Sequence, residues 1–156
     1  MSLSNANHYW VLRLEGDLRQ VNLLARKLGA PDTFRPASIL PMPMSVVRLG
    51  LRDAQVWRVN HWGLNKEPRK IRWHCQKEEQ AYTLVAEGGF GVPISLVKQA
   101  SLEYKRVKLH LVWKSPYGAQ HGQTWFAGNA FDVPQSSQDR MLSKAFDLGP
   151  LPLDVE

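Results

Sequence analysis

The succession of strand-like and helix-like hydrophobic patterns constrains this chain more than any other feature of its sequence. Residues 9–14 form a short β-rich run whose even-numbered members share one face. Asp17 then suits a helix N-cap, and apolar residues recur at helical spacing between residues 18 and 28. Gly29 follows as a stop signal. The sequence therefore predicts a strand followed at once by a helix.

The same two periodicities recur further along the chain. Residues 69–75 and 82–86 alternate like the strands of a hairpin, Pro93 suits the first turn of a helix, and residues 107–113 form the last strong strand. Two weaker strand-like runs occupy residues 56–62 and 124–127. The order β-α-loop-β-β-α-β predicts an α+β fold of the ferredoxin-like type. In that sandwich, an antiparallel sheet carries two helices on one face.

The length of 156 residues suits one domain. We expect residues 8–130 to form it, with a proline-rich insertion at about 30–56. Four prolines between positions 31 and 43 favour an irregular connection there. Residues 1–7 are expected to be a tag remnant or a disordered start. Residues 131–156 are expected to form a partly ordered C-terminal extension containing a helical turn or two.

The small number of chemically reactive residues excludes several kinds of site. Cys75 is the only cysteine, so one chain cannot form a disulfide, a four-cysteine zinc site or a four-cysteine iron–sulfur cluster. No two histidines have the His-x-x-x-His spacing, and we expect neither a metal nor a cofactor. No run approaches the roughly 18 apolar residues of a membrane-spanning helix. The lone cysteine indicates a cytoplasmic protein, in which it packs on the apolar side of its strand.

Basic residues are concentrated in the middle of the chain, which has a net charge of +6. Residues 48–77 contain eight basic and two acidic residues. If the strands alternate as expected, five basic side chains project from the open face of the sheet, and two arginines lie beside them. These residues are Lys70, Arg72, His74, Lys108 and His110, with Arg58 and Arg69. Such a face suits nucleic acid, although any half-exposed antiparallel strand shows the same alternation.

Trp62, which precedes Gly63, has two interpretations. It is either a recognition surface for a partner or an indole that closes the core beneath a glycine-containing turn. Loss of stability in a Trp62→Ala variant would favour the second interpretation.

Four short segments are similar to motifs of one protein family. Residues 39–43 (Ile-Leu-Pro-Met-Pro) resemble its Leu-Ile-Pro-Met-Pro signature, and residues 60–63 (Asn-His-Trp-Gly) resemble its Asn-Trp-Gly motif. Residues 91–93 (Gly-Val-Pro) and 126–128 (Phe-Ala-Gly) are similar to its proline-bearing turn and its closing motif. The chain thus resembles the YubB ferredoxin-like family, Api-type proteins of bacterial plasmids, phages and integrated elements. The resemblance implies a ferredoxin-like fold and a mobile-element context, with no catalytic residues to transfer.

The expected function is that of a non-enzymatic interaction protein of a mobile element, with a protein partner of unknown identity. The alternative is a nucleic-acid-binding module that uses the basic sheet face, and the third hypothesis is a small enzyme. No nucleophile, acid–base pair or phosphate-binding loop has the spacing that is typical of catalysis. The sequence therefore identifies no catalytic residue and argues against an enzyme.

Overall fold

The computed structural model describes residues 9–64, 68, 70–87, 91–115 and 119–147, with side chains up to residue 145. Within them the chain forms a sheet of six strands: β1 (Tyr9–Gly16), β2 (Lys70–Gln76), β3 (Ala81–Glu87), β4 (Val107–Lys114), β5 (Gln120–Phe126) and β6 (Asn129–Asp132). The helices in these residues are α1 (Leu18–Leu28), α2 (Met44–Val47), α3 (Leu51–His61), α4 (Ile94–Glu103) and α5 (Gln135–Asp147). Short 3₁₀ turns occupy Pro36–Ser38 and Lys77–Glu79. The expectations for Arg69, residues 1–7 and the end of the C-terminal extension lie outside the described residues.

The first strand and helix form where the hydrophobic pattern predicts them. The Asp17 carboxylate accepts a hydrogen bond from the Gln20 backbone N–H at 3.2 Å and so caps α1. Gly29 ends the helix with a φ of 118°, a conformation that glycine adopts at little cost. The Gln20 side chain accepts a hydrogen bond from the Arg106 N–H, which ties the start of α1 to the approach to β4. Local capping therefore positions the helix on the sheet.

The six strands lie in the order β2-β3-β1-β4-β5-β6, and each neighbouring pair is antiparallel. Successive side chains of a strand point to opposite faces of the sheet. We call the face that contains Leu12 the α1/α4 face, because it packs against these two helices. The face that contains Val11 is the α5 face, because α5 packs on it.

The two faces bury very different amounts of apolar surface. The α1/α4 face holds the main core, in which Leu12 of β1 packs with Leu24 of α1 and Leu96 of α4. On the α5 face, the buried apolar cluster is limited to Val11, Val85 and Ala145, with partly buried neighbours. The apolar contact of α5 with the sheet is therefore smaller than the core beneath α1 and α4.

The prediction of a ferredoxin-like sandwich is wrong. That fold has four strands and helices on one face, whereas this α+β sheet has six strands and carries α5 on its second face. β5 is mostly polar (Gln-His-Gly-Gln-Thr-Trp-Phe), so its hydrophobic pattern is weak. Main-chain pairing with β4 and burial of Trp125 form this strand nevertheless. Tertiary pairing thus extends the sheet beyond what periodicity indicates.

The strand expected at residues 56–62 is also wrong, and the insertion at about 30–56 is more regular than expected. Helix α3 runs from Leu51 to His61, and α2 precedes it. A short apolar run does not distinguish a strand from a helix, since Val56 and Val59 are also three positions apart. Beyond Pro43 no further proline interrupts the backbone before α3 ends. The helical hairpin α2–α3 forms in that stretch.

Candidate functional site

Five of the basic residues identified in the sequence lie on the α5 face. Lys70, Arg72 and His74 are on β2, Lys108 and His110 are on β4, and strands β3 and β1 lie between them. This face is not open, because α5 packs across β1, β4 and β5. The structure therefore separates the three β2 residues, at one edge of the sheet, from His110, which lines a cleft beside α5.

Arg58 and Trp62, the other two candidate residues that the structure describes, lie elsewhere in the fold. Arg58 is on α3, and Trp62 directly follows that helix with 6% of its surface exposed. The indole Nε1 of Trp62 donates a hydrogen bond to the Leu40 carbonyl oxygen at 2.7 Å. Its ring meets Trp57 edge-on, with 5.5 Å between centroids. Trp62 is therefore a core residue that joins α3 to the preceding connection.

Glu15, His110 and Thr124 form a hydrogen-bonded row across three adjacent strands, β1, β4 and β5. His110 Nε2 lies 2.6 Å from Glu15 Oε1, and His110 Nδ1 lies 2.7 Å from Thr124 Oγ1. The register places Thr124 directly opposite His110, whereas Glu15 is its diagonal neighbour. Because both ring nitrogens are bonded, the orientation of the imidazole is fixed. We call these three residues the Glu15–His110–Thr124 row.

The row keeps Glu15 in its charged form. The pKa of the Glu15 carboxyl is lowered from 4.5 to about 2, mainly by the hydrogen bond from His110 and to a smaller extent by Arg13, and burial opposes this shift. Arg13 Nε donates to Glu15 Oε2 at 3.2 Å. Both carboxylate oxygens are thus bonded, each to a different side chain.

A second group of charged contacts connects α5 to the sheet. Lys144 Nζ of α5 lies 2.8 Å from Glu79 Oε1, and Arg13 Nη2 lies 3.5 Å from the same oxygen. The hydrogen bond from Lys144 and the nearby positive charge of Arg13 lower the pKa of Glu79. Arg13 therefore bridges Glu15 of the row and Glu79, to which α5 is attached.

A cleft of about 380 Å³ lies between α5 and the sheet. The sheet contributes Glu15, His110 and Thr124 to its lining, and α5 contributes Ser137 and Arg140 among others. The volume lies within the range of roughly 300–1,000 Å³ that is typical of small-molecule sites. The row therefore faces a space that a small ligand can enter.

The row was not identified from the sequence. Glu15 and His110 are 95 positions apart, and His110 and Thr124 are 14 positions apart. Glu15 lies just beyond the end of the predicted first strand, and Thr124 lies in a run with only a weak strand signal. Only the register of the sheet brings the three side chains together.

A second candidate surface lies on the α2–α3 hairpin. Of the eleven exposed large hydrophobic residues in the described part of the chain, six lie between positions 44 and 59. We call them the apolar ridge: Met44, Val47, Leu49, Leu51, Val56 and Val59. Leu51 is 87% exposed. Because α3 also packs against α4, the ridge lies on the opposite side of the sheet from the cleft.

Other chemical groups add no further site in the residues that the structure describes. Cys75, which we expected in the core, is exposed, because it lies near the end of the edge strand β2. In the described ranges, no three His, Cys, Asp or Glu side chains are arranged to hold a metal ion. Of the helices described, none has the length and apolar character needed to cross a membrane.

Neither a protein-family model, nor a curated protein, nor a solved structure matches the chain. The resemblance to the YubB ferredoxin-like family stays a prediction.

Proposed function

We propose that this chain is an interaction protein that binds a partner protein through the apolar ridge, in the mobile-element context that its YubB-like motifs imply. The observation that carries the proposal is the concentration of six exposed large hydrophobic residues in one helical hairpin. Scattered exposed apolar residues are ordinary on a protein surface, whereas a cluster of them is typical of a binding site.

The inner side of the hairpin holds the ridge firmly on the domain. Ala54 is buried, and Trp57 is partly buried against the main core. Trp62 closes the same side with its hydrogen bond to Leu40. A helical surface that is ordered before binding loses little conformational entropy when a partner docks.

The charges around the ridge indicate the kind of partner. Arg48 and Arg52 are exposed, and Asp53 is an exposed acid between them and the rest of α3. An open groove of about 420 Å³ runs along α3 past Arg52, Val56 and Val59. These features suit an amphipathic helix whose apolar side is flanked by carboxylates. Arg48, Arg52 and Asp53 have a net positive charge that a second copy would repeat, which disfavours self-association through the ridge.

A peptide titration tests this proposal. The probe is a labelled synthetic helix with a leucine face flanked by glutamates, and a second peptide carries lysines in place of the glutamates. We expect saturable binding of the glutamate peptide, measured by fluorescence anisotropy, and weak binding of the lysine peptide. Val56→Asp is expected to raise the Kd by about tenfold or more, which corresponds to about 1.4 kcal/mol.

Leu23→Asp is the matched control for Val56→Asp. Leu23 lies on α1 outside the ridge, and its exposure of 53% is close to the 55% of Val56. This variant is expected to bind the glutamate peptide as the unchanged protein does. Equal binding of both peptides, absence of saturation, or ridge-dependent dimerisation in sedimentation would each contradict the proposal.

Nucleic-acid binding by β2 is the second candidate function. Lys70, Arg72 and His74 share one face of this edge strand, at intervals of about 6.6 Å, and α5 packs mainly on other strands. Binding of this kind depends strongly on salt, because phosphate contacts release counterions. We expect a labelled single-stranded oligonucleotide to bind at low salt and Lys70→Glu to weaken it. A flat anisotropy titration at low salt would reject this candidate.

A further inference from the structure

The Glu15–His110–Thr124 row resembles the arrangement by which enzymes activate a hydroxyl nucleophile with a general base. A hydroxyl, an imidazole and a carboxylate follow one another, at 2.7 Å and 2.6 Å. Such contacts fall within about 2.6–3.2 Å in enzymes that use a nucleophile, a base and a group that orients the base. Each residue stands on a different strand, so the paired backbones hold the separations constant.

The charge of Glu15 determines where the protons of the row lie. A carboxylate only accepts hydrogen bonds, so His110 Nε2 must carry the hydrogen that is shared with Glu15. The pKa of Glu15 is about 2, which keeps it ionised at neutral pH. In the neutral imidazole, Nδ1 then presents a lone pair, and the Thr124 hydroxyl donates to it. The row is therefore oriented to remove the hydroxyl proton of Thr124.

The cleft provides access to this hydroxyl. Thr124 and His110 line the same space as Ser137 and Arg140 of α5. The Ser137 hydroxyl and the Arg140 guanidinium are hydrogen-bond donors of the kind that stabilise a developing oxyanion. The three residues form no motif of fixed spacing in the sequence, because the register of the sheet brings them together.

We propose that Thr124 is a nucleophile that accepts acyl groups, that His110 is its general base, and that Glu15 is the positioning residue for His110. The cleft would take small carboxylic esters. A bond forms between Thr124 Oγ1 and the ester carbonyl carbon while the hydroxyl proton moves to His110 Nδ1. The bond from that carbon to the alcohol oxygen then breaks, and the alcohol leaves with the proton from His110.

Hydrolysis of the acyl group completes the reaction. A water molecule attacks the acyl carbon and gives one proton to His110 Nδ1. The bond to Thr124 Oγ1 breaks, Thr124 recovers its proton from His110, and the carboxylic acid leaves. This activity is independent of partner binding by the apolar ridge, since the ridge and the cleft lie on opposite sides of the sheet.

Acetylation by p-nitrophenyl acetate tests the proposal. Nitrophenolate release is followed by absorbance, and the acetylated residue is located by peptide mass mapping. We expect acetyl-Thr124 in the unchanged protein and its loss in Thr124→Val, which retains the shape of the side chain. Thr124→Ser is expected to retain acetylation, and His110→Gln to slow it by about 100-fold. Glu15→Gln is expected to shift the pH dependence of acetylation above about pH 5, where the contribution of Glu15 to folding stability no longer varies with pH.

Thermal melting identifies variants that fail to fold, and mass mapping of the unchanged protein still shows whether Thr124 is the acetylated residue. Acetyl-Thr124 whose formation depends on His110 supports the proposal. Acetylation confined to lysines or the N-terminus, or an equal rate in Thr124→Val, overturns it. Neither outcome bears on peptide binding by the ridge, which the anisotropy titration measures separately.

Discussion

Glu15 Oε1 and His110 Nε2 lie 2.6 Å apart on neighbouring strands, and a chain of charged side chains connects this contact to α5. Arg13, which donates to Glu15, also contacts Glu79, and Glu79 pairs with Lys144 of α5. The apolar cluster beneath α5 is small. Protonation of the carboxyls is therefore expected to affect both the sheet and the helix that covers it.

Acidification is expected to destabilise the protein through Glu15. In the unfolded chain this carboxyl has a pKa near 4.5, whereas in the folded chain it stays ionised down to about 2. Its stabilising contribution is present above the unfolded value and is lost as the pH falls toward the folded value. Because 33% of the side chain is exposed, solvent screening reduces this contribution to about 1–2 kcal/mol. Urea unfolding at a series of pH values measures the loss. Glu15→Gln is expected to show a shallower acid dependence, and an unchanged dependence would contradict the role of Glu15.

Truncation of Trp62 is expected to destabilise the fold strongly. Trp62→Ala removes a buried indole and leaves a cavity, which costs about 3–5 kcal/mol. Trp62→Phe retains much of the packing but leaves the Leu40 carbonyl without its donor, at a cost of about 1–2 kcal/mol. Thermal and urea unfolding measure both losses. His61→Ala, at an exposed position next to it, is the control and is expected to change stability far less. An unchanged midpoint for Trp62→Ala would show that Trp62 is not a core residue.

Substitution of Gly50 and Gly63 by alanine distinguishes two destabilising effects on folding, an unfavourable backbone conformation and a steric overlap. Gly63 has a φ of +81°, and a Cβ there would lie 2.3 Å from the Val92 carbonyl oxygen. Gly50 has a φ of +110°, but a Cβ there would meet no atom within 4 Å. Gly50, with a ψ of −178°, lies in an extended positive-φ region that is essentially restricted to glycine, so Gly50→Ala is expected to cost about 1–3 kcal/mol from the backbone alone. Gly63→Ala is expected to cost at least about 2 kcal/mol more, as measured by urea unfolding. Equal losses in the two variants would show that the close approach does not matter.

The attachment of α5 is expected to be more sensitive to a charge placed in its apolar contact than to the loss of its surface ion pair. Ala145 is buried against Val11 and Val85, so Ala145→Asp places an uncompensated charge in that cluster. We expect this variant to open α5 and to increase hydrogen exchange throughout the helix. Lys144→Ala breaks an exposed pair with Glu79 and is expected to cost less than about 1 kcal/mol. A larger effect for Lys144→Ala than for Ala145→Asp would reverse this ranking.

The sequence predicted elements whose determinants lie within a few residues of one another. The Asp17 cap, the Gly29 stop and the alternation in β1, β2, β3 and β4 all appear in the structure. The short apolar run before Trp62 was misassigned, because helical and strand spacings coincide there. The polar strand β5 was predicted only in part, since its formation depends on pairing with β4. In such a segment, long-range strand pairing determines the secondary structure, and local propensity does not.

The candidate sites, too, were predictable only where neighbouring residues determine them. The sequence placed Lys70, Arg72 and His74 on alternate positions of one strand, but it did not show that α5 covers the neighbouring strands. It identified Trp62 as important and left open whether the indole was buried. In the structure the indole of Trp62 is buried, and its Nε1 donates a hydrogen bond to the Leu40 carbonyl oxygen.

By itself, the sequence determined the α+β character of the chain, the first strand and helix, and the absence of an internal disulfide. These properties follow from composition and from residues that are neighbours along the backbone. Only the tertiary structure decided the six-stranded sheet, the position of α5, and the meeting of Glu15, His110 and Thr124. These depend on strand register, which pairs residues far apart in the chain through main-chain hydrogen bonds that every residue type except proline can form.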